Sequence, residues 1–187
     1  MVMVPEVVMR HRLTFEDYLE LPDDQDYEII EGALYVAPRA RPHHQIIANR
    51  LAVSLTIHVD NHGLGQVVPD ADLIVTAQDT YVSPDIMFFR ADRFLAVDRK
   101  EFIRIIPDLI VEIISPTSAD YDRRKKRDTY EKLGVPHYWI AHPDHATLAE
   151  HVLQPDGRYT VRTIGPDELF HPALFPGLTI NLTRLFS

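Results

Sequence analysis

The 187-residue sequence predicts an α/β domain built on a mixed sheet, and three observations support that class. Helix, strands, helix and strand follow one another in a continuous chain, with no linker, internal repeat or low-complexity stretch. Leu109-Ile110-Val111-Glu112-Ile113-Ile114 is apolar on both sides of the pleat, the pattern of a strand at the covered centre of a sheet. That run leads through Ser115-Pro116-Thr117 into a helix and then into a further strand. The length is that of one domain spanning 1–187, enough to bury a substantial core.

Each element has a local reason. Leu13 to Leu21 predicts a short helix with Thr14 as N-cap and Asp17 three residues on as capping-box partner; Pro22-Asp23-Asp24 ends it. Tyr27-Glu28-Ile29-Ile30 and Ala33-Leu34-Tyr35-Val36 flank Glu31-Gly32 and read as a tight hairpin. Arg39 to Pro42 is a turn or loop. From His43 to about His58, Ile47, Leu51 and Leu55 recur every fourth position, a helix with one core face that Asn61-His62-Gly63 closes. Strands are expected over 65–68, 71–76 and 81–89, and a loop or short helix over 92–102. The central strand is followed by a helix over 120–133, stopped by Gly134 and Pro136. His137 to His142 is the next strand, and Leu148 to Leu153 with Tyr159 to Ile164 form a second hairpin around Pro155-Asp156-Gly157. The tail from Phe175 to Phe186 reads as an extended segment with a last turn.

Composition narrows the function. Zero cysteines remove disulfides, thiolate metal sites and thiol nucleophiles. A net charge of −9 argues against indiscriminate affinity for nucleic acid but leaves room for a locally basic groove. Met1-Val-Met-Val-Pro5 carries neither a charged n-region nor a long apolar run, and no stretch reaches the length of a membrane span, so a cytoplasmic location is expected. No serine sits in a nucleophile elbow and no glycine-rich loop opens a helix, which disfavours serine hydrolases and dinucleotide oxidoreductases. The ten histidines lack ligand-type spacing.

Chemistry concentrates near the central strand. Glu112 shares the pleat side of Ile110 and Ile114, where an ionised carboxylate needs a metal, a buried cation or a raised pKa to compensate it. Asp85, in Ser83-Pro84-Asp85, heads the apolar run Ile86-Met87-Phe88-Phe89. Asp122, Lys126 and Tyr130 fall four apart on one stripe of the following helix, which brings Lys126 towards Glu112. Two acids and a lysine near one strand end suit metal-dependent phosphodiester hydrolysis: Asp85, Glu112 and the Ile113 carbonyl as oxygen ligands for Mg²⁺, Lys126 for the attacking water or the developing charge. Blander roles fit the same residues. Glu112 as a structural acid paired with Lys126 or an arginine, Asp85 as a turn residue, and Glu28 as an exposed hairpin charge are each consistent with the sequence. His43 and His44 suit capping or core roles, and Trp139 and Tyr138 suit the core. Arg123-Arg124-Lys125-Lys126-Arg127 is either a solvated face or a contact for a nucleic-acid backbone.

Several segments, in order and over nearly the whole chain, carry a family resemblance. They are Leu13 to Leu19, Tyr27 to Gly32, His44-Gln45, Ser83-Pro84-Asp85, Pro107 to Thr117, Asp122 to Lys126 to Tyr130, and Gly134 to Ile140. With these the chain resembles a restriction-endonuclease-like family of the PD-(D/E)xK nuclease superfamily. The resemblance implies a restriction-endonuclease-like core in which Asp85 and Glu112 bind Mg²⁺, with Mn²⁺ able to substitute. Ile114 stands where the superfamily has its lysine, and Lys126 matches a lysine moved onto the next helix. Glu28 matches an acid of the first hairpin and is a further candidate ligand; His44 matches a recurrent histidine. His137 and His142 stand where the family has acids. The expected protein is a Mg²⁺-dependent DNA endonuclease, a homodimer or higher homo-oligomer, with backbone contacts from Arg123, Arg124, Lys125 and Arg127. The rivals are a nuclease for RNA or for branched or damaged DNA, and a catalytically silent binding or assembly module.

Overall fold

The computed structural model describes residues 12–22, 25–37, 41–114 and 121–187, with the side chains of residues 37 and 121–123 outside that description. Thr14 caps α1 (Phe15–Leu19) through the expected box: the Asp17 amide donates to Thr14 Oγ1 at 3.4 Å and the Thr14 amide to Asp17 Oδ2 at 2.8 Å. β1 (Asp26–Ile30) and β2 (Ala33–Ala37) pair around Glu31 and Gly32, whose φ values of 53° and 81° are both left-handed, as a two-residue hairpin turn requires. α2 (Pro42–His62) starts on a proline and stops at left-handed Gly63, one turn later than periodicity alone places its end. It buries Ile47, Leu51, Leu55 and Val59 on one face.

β3 (Gly65–Pro69), β4 (Leu73–Val75), β5 (Thr80–Val82) and β6 (Ile86–Arg90) follow, then the single-turn α3 (Ala91–Phe94). β7 (Leu109–Ile113), α4 (Tyr121–Leu133) and β8 (His137–His142) form a β-α-β unit. β9 (Thr147–Leu153) and β10 (Tyr159–Ile164) are the second hairpin; β11 (Leu169–Phe170), β12 (Ile180–Asn181) and α5 (Leu182–Phe186) complete the chain. The main sheet runs β10-β9-β8-β7-β6-β3, and only the β7–β8 pair is parallel, so the sheet is mixed. A second sheet runs β2-β1-β5-β4, and β11 pairs with β12.

Every residue of β7 is buried, as expected of a central strand. Leu109, Val111 and Ile113 face α2 and the C-terminal Phe170, Phe175 and Leu182. Ile110 turns the other way, towards Tyr130 of α4 and Tyr138 of β8. Strand alternation puts Glu112 on that second face.

Two strands differ from expectation. The run 81–89 is not one strand: β5 belongs to the second sheet and β6 to the main sheet, with the break at Ser83-Pro84-Asp85. Pro84 has no N–H to donate to a ladder, so the chain changes sheets there. The expected strand 71–76 shortens to β4 because Thr76 opens a 3₁₀ turn. β7 ends at Ile113, and the expected continuation through Ser115-Pro116-Thr117 lies outside the described residues.

Candidate active site

The break at Pro84 places Asp85 at the head of β6. β6 and β7 pair with Ile86 opposite Val111, and one further step of that register sets Asp85 across from Glu112. The Ile113 amide donates to Asp85 Oδ2 at 2.6 Å, and His44 Nε2, from the first turn of α2, lies 3.3 Å from the same oxygen. On α4, Lys126 and Tyr130 are one turn apart and both reach Glu112 Oε1: Nζ at 3.1 Å and the phenol at 2.7 Å. Lys126 Nζ also donates to Glu28 Oε1 at 2.9 Å, and the Ser83 amide donates to that oxygen at 3.2 Å. One ammonium therefore bridges a carboxylate of the second sheet and one of the main sheet.

Electrostatics follow from burial. Glu112 is only 9% exposed, and burial pushes its carboxyl up to about 7. Lys126 and the Tyr130 hydrogen bond oppose this; the charges of Asp85 and Glu28 reinforce it. Burial pulls the Lys126 ammonium down, but Glu112 and Glu28 outweigh it and hold the group well above its ordinary value. The hydrogen bond to Asp85 raises His44 against the opposing effect of burial.

The arrangement fits a hard divalent cation. Mg²⁺ takes oxygen ligands, keeps several waters, and is commonly held by one or two carboxylates rather than a full protein cage. Asp85 and Glu112 are two such carboxylates on one sheet face, and Asp85 Oδ1 and Glu112 Oε2 carry none of the hydrogen bonds described above. Among the described residues no group of three or more His, Asp or Glu side chains is close enough to hold a metal alone. A metal here would have two acids and water as its donor set, with the Ile113 carbonyl at the same strand end.

The structure brings Asp85, Glu112, Lys126, Tyr130, Glu28 and His44 into one connected group. Glu28 is buried rather than exposed on its hairpin. The Asp122 and Arg123 side chains lie outside the described residues. Arg124 is exposed, whereas Lys125 and Lys132 each hold Glu31 at 2.6 Å and Arg127 holds Asp128 at 2.6 Å. Those two lysines pull the Glu31 carboxyl down to about 2. His137 pairs with Leu109 at the far end of β7, while His142 lies one residue beyond Ala141, the partner of Ile113. Sequence reasoning passed over Ser83 and Asp72. Ser83 joins Glu28 through its amide and Asp72 Oδ1 through its hydroxyl at 2.5 Å. The only sequence signal was Ser83 beside Pro84-Asp85.

Comparison with known proteins bears on the family and the fold. A family model described as "Uma2: Putative restriction endonuclease" matches residues 15–183. Two proteins of Synechocystis sp. (strain ATCC 27184 / PCC 6803 / Kazusa) are similar. "Uncharacterized protein slr1290" is 28% identical over 123 residues, covering 64% of this chain and 62% of its own length. "Uncharacterized protein sll1609" is 24% identical over 123 residues, 65% of this chain and 69% of its own. The match thus spans less than two thirds of the first relative. Among solved structures, the crystal structure of "a putative nuclease belonging to DUF820 from Anabaena variabilis ATCC 29413" superposes with a TM-score of 0.77 at 23% identity, covering 93% of this chain and 97% of that one. At that identity the likeness concerns the fold alone; together with the family match it indicates a restriction-endonuclease-like fold.

Proposed function

The chain belongs to the Uma2 family, and from that premise we propose that it is a Mg²⁺-dependent phosphodiester hydrolase acting on DNA as an endonuclease. One observation carries the reading: Asp85 and Glu112 stand across adjacent strand ends with Lys126 3.1 Å from Glu112. Asp85 and Glu112 would hold Mg²⁺, or Mn²⁺ in its place, with the Ile113 carbonyl and with Glu28 as a further ligand. The ion, when bound, supplies positive charge to the phosphoryl oxygens and a more acidic water. The chain's own residues do the rest. The Ile113 amide and His44 fix Asp85 Oδ2, and Tyr130 fixes Glu112 Oε1, so both acids are oriented before substrate arrives. Lys126, held charged by its two carboxylates, offsets the repulsion between buried acids and a phosphodiester. It also meets the negative charge that develops during displacement. Exposed Arg124, with Arg123, Lys125 and Arg127 in the same run, supplies backbone contacts once Lys125 and Arg127 exchange their acid partners for phosphate. A two-fold homodimer would cut both strands of a duplex. The reading places the protein in the cytoplasm; no described helix is long and apolar enough to cross a membrane.

The test is cleavage of supercoiled plasmid and of single-stranded DNA with Mg²⁺ or Mn²⁺, comparing wild type with Glu112→Ala and Lys126→Ala. Metal-dependent nicking by wild type, lost in both folded variants, supports the proposal. A second reading, a silent binding or assembly module, is favoured by the closed Glu28–Lys126–Glu112 link, in which the lysine is already partner to both acids. Absence of cleavage on every substrate, with no metal-induced rise in Tm, would overturn the hydrolase and favour that module instead.

A further inference from the structure

Beyond the acids, a connected path leads from Glu28 to a cleft of different character. The Ser83 amide binds Glu28, the Ser83 hydroxyl binds Asp72, and Asp72 lines a cavity of about 320 Å³. Its opposite wall is the segment before β7: Arg99, Lys100, Glu101, Phe102 and Ile103. Two backbone bonds hold that segment against β4. The Ile103 amide donates to the Asp72 carbonyl at 3.3 Å and the Ile74 amide to the Ile103 carbonyl at 2.8 Å. Arg99 and Lys100 are exposed, and the Arg99 guanidinium sits over Phe94 with 5.2 Å to the ring centroid. Phe102 is half-buried against Phe15, with ring centroids 5.7 Å apart at 84°. Tyr18 joins the same aromatic group through Phe15 and Tyr81. Burial raises its phenol first, and the charges of Asp72, Glu28 and Asp26 raise it further, which places it in the field of the acids.

The lining is mixed in a specific way. It has two cations, two carboxylates and one aromatic face, in a volume at the lower end for a small-ligand site. Cations suit a phosphate, an aromatic ring supports a base that has left its stack, and carboxylates accept from an exocyclic amino group. We propose that this cleft holds one unstacked nucleotide flanking the scissile phosphodiester. Its phosphate lies on Arg99 and Lys100, its base rests against Phe102, and its amino group faces Asp72 and Glu101. The substrate class is then single-stranded or frayed DNA with an amino-bearing base at that position. This assignment rests on the reading of the protein as a DNA hydrolase.

The experiment is binding of fluorescein-labelled oligo(dC), oligo(dT) and a duplex to the full chain in EDTA, followed by anisotropy across a salt series. Wild type is expected to bind oligo(dC) more tightly than oligo(dT) and more tightly than the duplex. The double variant Arg99→Ala/Lys100→Ala, both positions being exposed, should keep the wild-type Tm. It should weaken oligo(dC) binding by about tenfold and flatten the salt slope by about 0.7 for each phosphate no longer neutralised. Glu101→Gln should narrow the preference for dC over dT. Unchanged affinity and slope in the double variant, or a duplex bound as tightly as the single strand, overturns the cleft. Because EDTA removes hydrolysis, the two readings fail separately. A wild type that nicks plasmid while the double variant binds normally overturns the cleft alone, whereas a wild type that binds no oligonucleotide overturns the cleft and the DNA substrate together.

Discussion

Glu112 sets the behaviour of its neighbours because it is a carboxylate in an apolar strand. Its folded pKa of about 7 lies above the ordinary 4.5, so between these values the native state binds more protons than the unfolded chain. The stability this contributes is complete below pH 4.5 and is lost as pH rises through about 7. Glu112→Gln should therefore show a smaller fall in Tm between pH 4.5 and 8 than wild type, measured by calorimetry. Tyr130→Phe removes the phenol that donates to Oε1 and leaves Lys126 as the donor there. It should lower stability by about 1 kcal/mol and push Glu112 further up, moving the acid limb of any pH–rate profile to higher pH. At this scale much was legible. An acid among β-branched residues, a Pro-Asp at a strand head and a lysine four residues from a tyrosine are local signals. Ser83 and Asp72 were not legible, because their bond forms only when β4 and β5 close as a hairpin.

Among the elements, the β1–β2 hairpin does more than carry Glu28. Glu31 at its turn is held by Lys125 and Lys132, so α4 docks on the hairpin through two ion pairs as well as through the site. The Glu31 carboxyl sits at about 2 in the fold, and the stability this contributes is present above pH 4.5 and lost as pH falls through about 2. Glu31→Gln should remove that acid-sensitive component, seen as a shallower drop in Tm from pH 4.5 to 2. Gly32→Ala places a Cβ 2.8 Å from Arg12 Cβ at a φ of +81°, and should cost roughly 1–2 kcal/mol in urea unfolding. Helices and hairpins were readable here because their periodicity and turn residues are local. Pro84 marks a break within 81–89, but the sheet each half joins was not readable, since both halves are apolar and only long-range pairing assigns them.

Across the whole molecule, the C-terminal segment closes the core. Phe170 and Phe175 are fully buried, and both ring-pack on Trp139 of β8, at 4.8 and 6.0 Å between centroids. Phe175→Ala should destabilise by about 3–5 kcal/mol, a large share of the total for a domain of this size. Emission from the single tryptophan, Trp139, would report that loss directly. The sequence showed a tail with an extended segment and a last turn but not what it covers, because its partners on β7 and β8 lie tens of residues upstream. The mixed sheet was foreseeable from element order, and the second sheet was not.

The cation shared by Glu28 and Glu112 has a mechanical consequence as well as a chemical one. Glu28 belongs to one hydrogen-bonded sheet and Glu112 to another, so the Lys126 ammonium acts as a rivet across the seam between two plates. Any charge that draws Lys126 away from either acid, whether an ion or a phosphate, slackens that rivet and lets the hairpin plate flex against the main one. Lys126→Met should accordingly speed amide exchange in β1 and β2 while leaving β7 and β8 protected, so that the stiffness of the hairpin is set by the occupancy of the site.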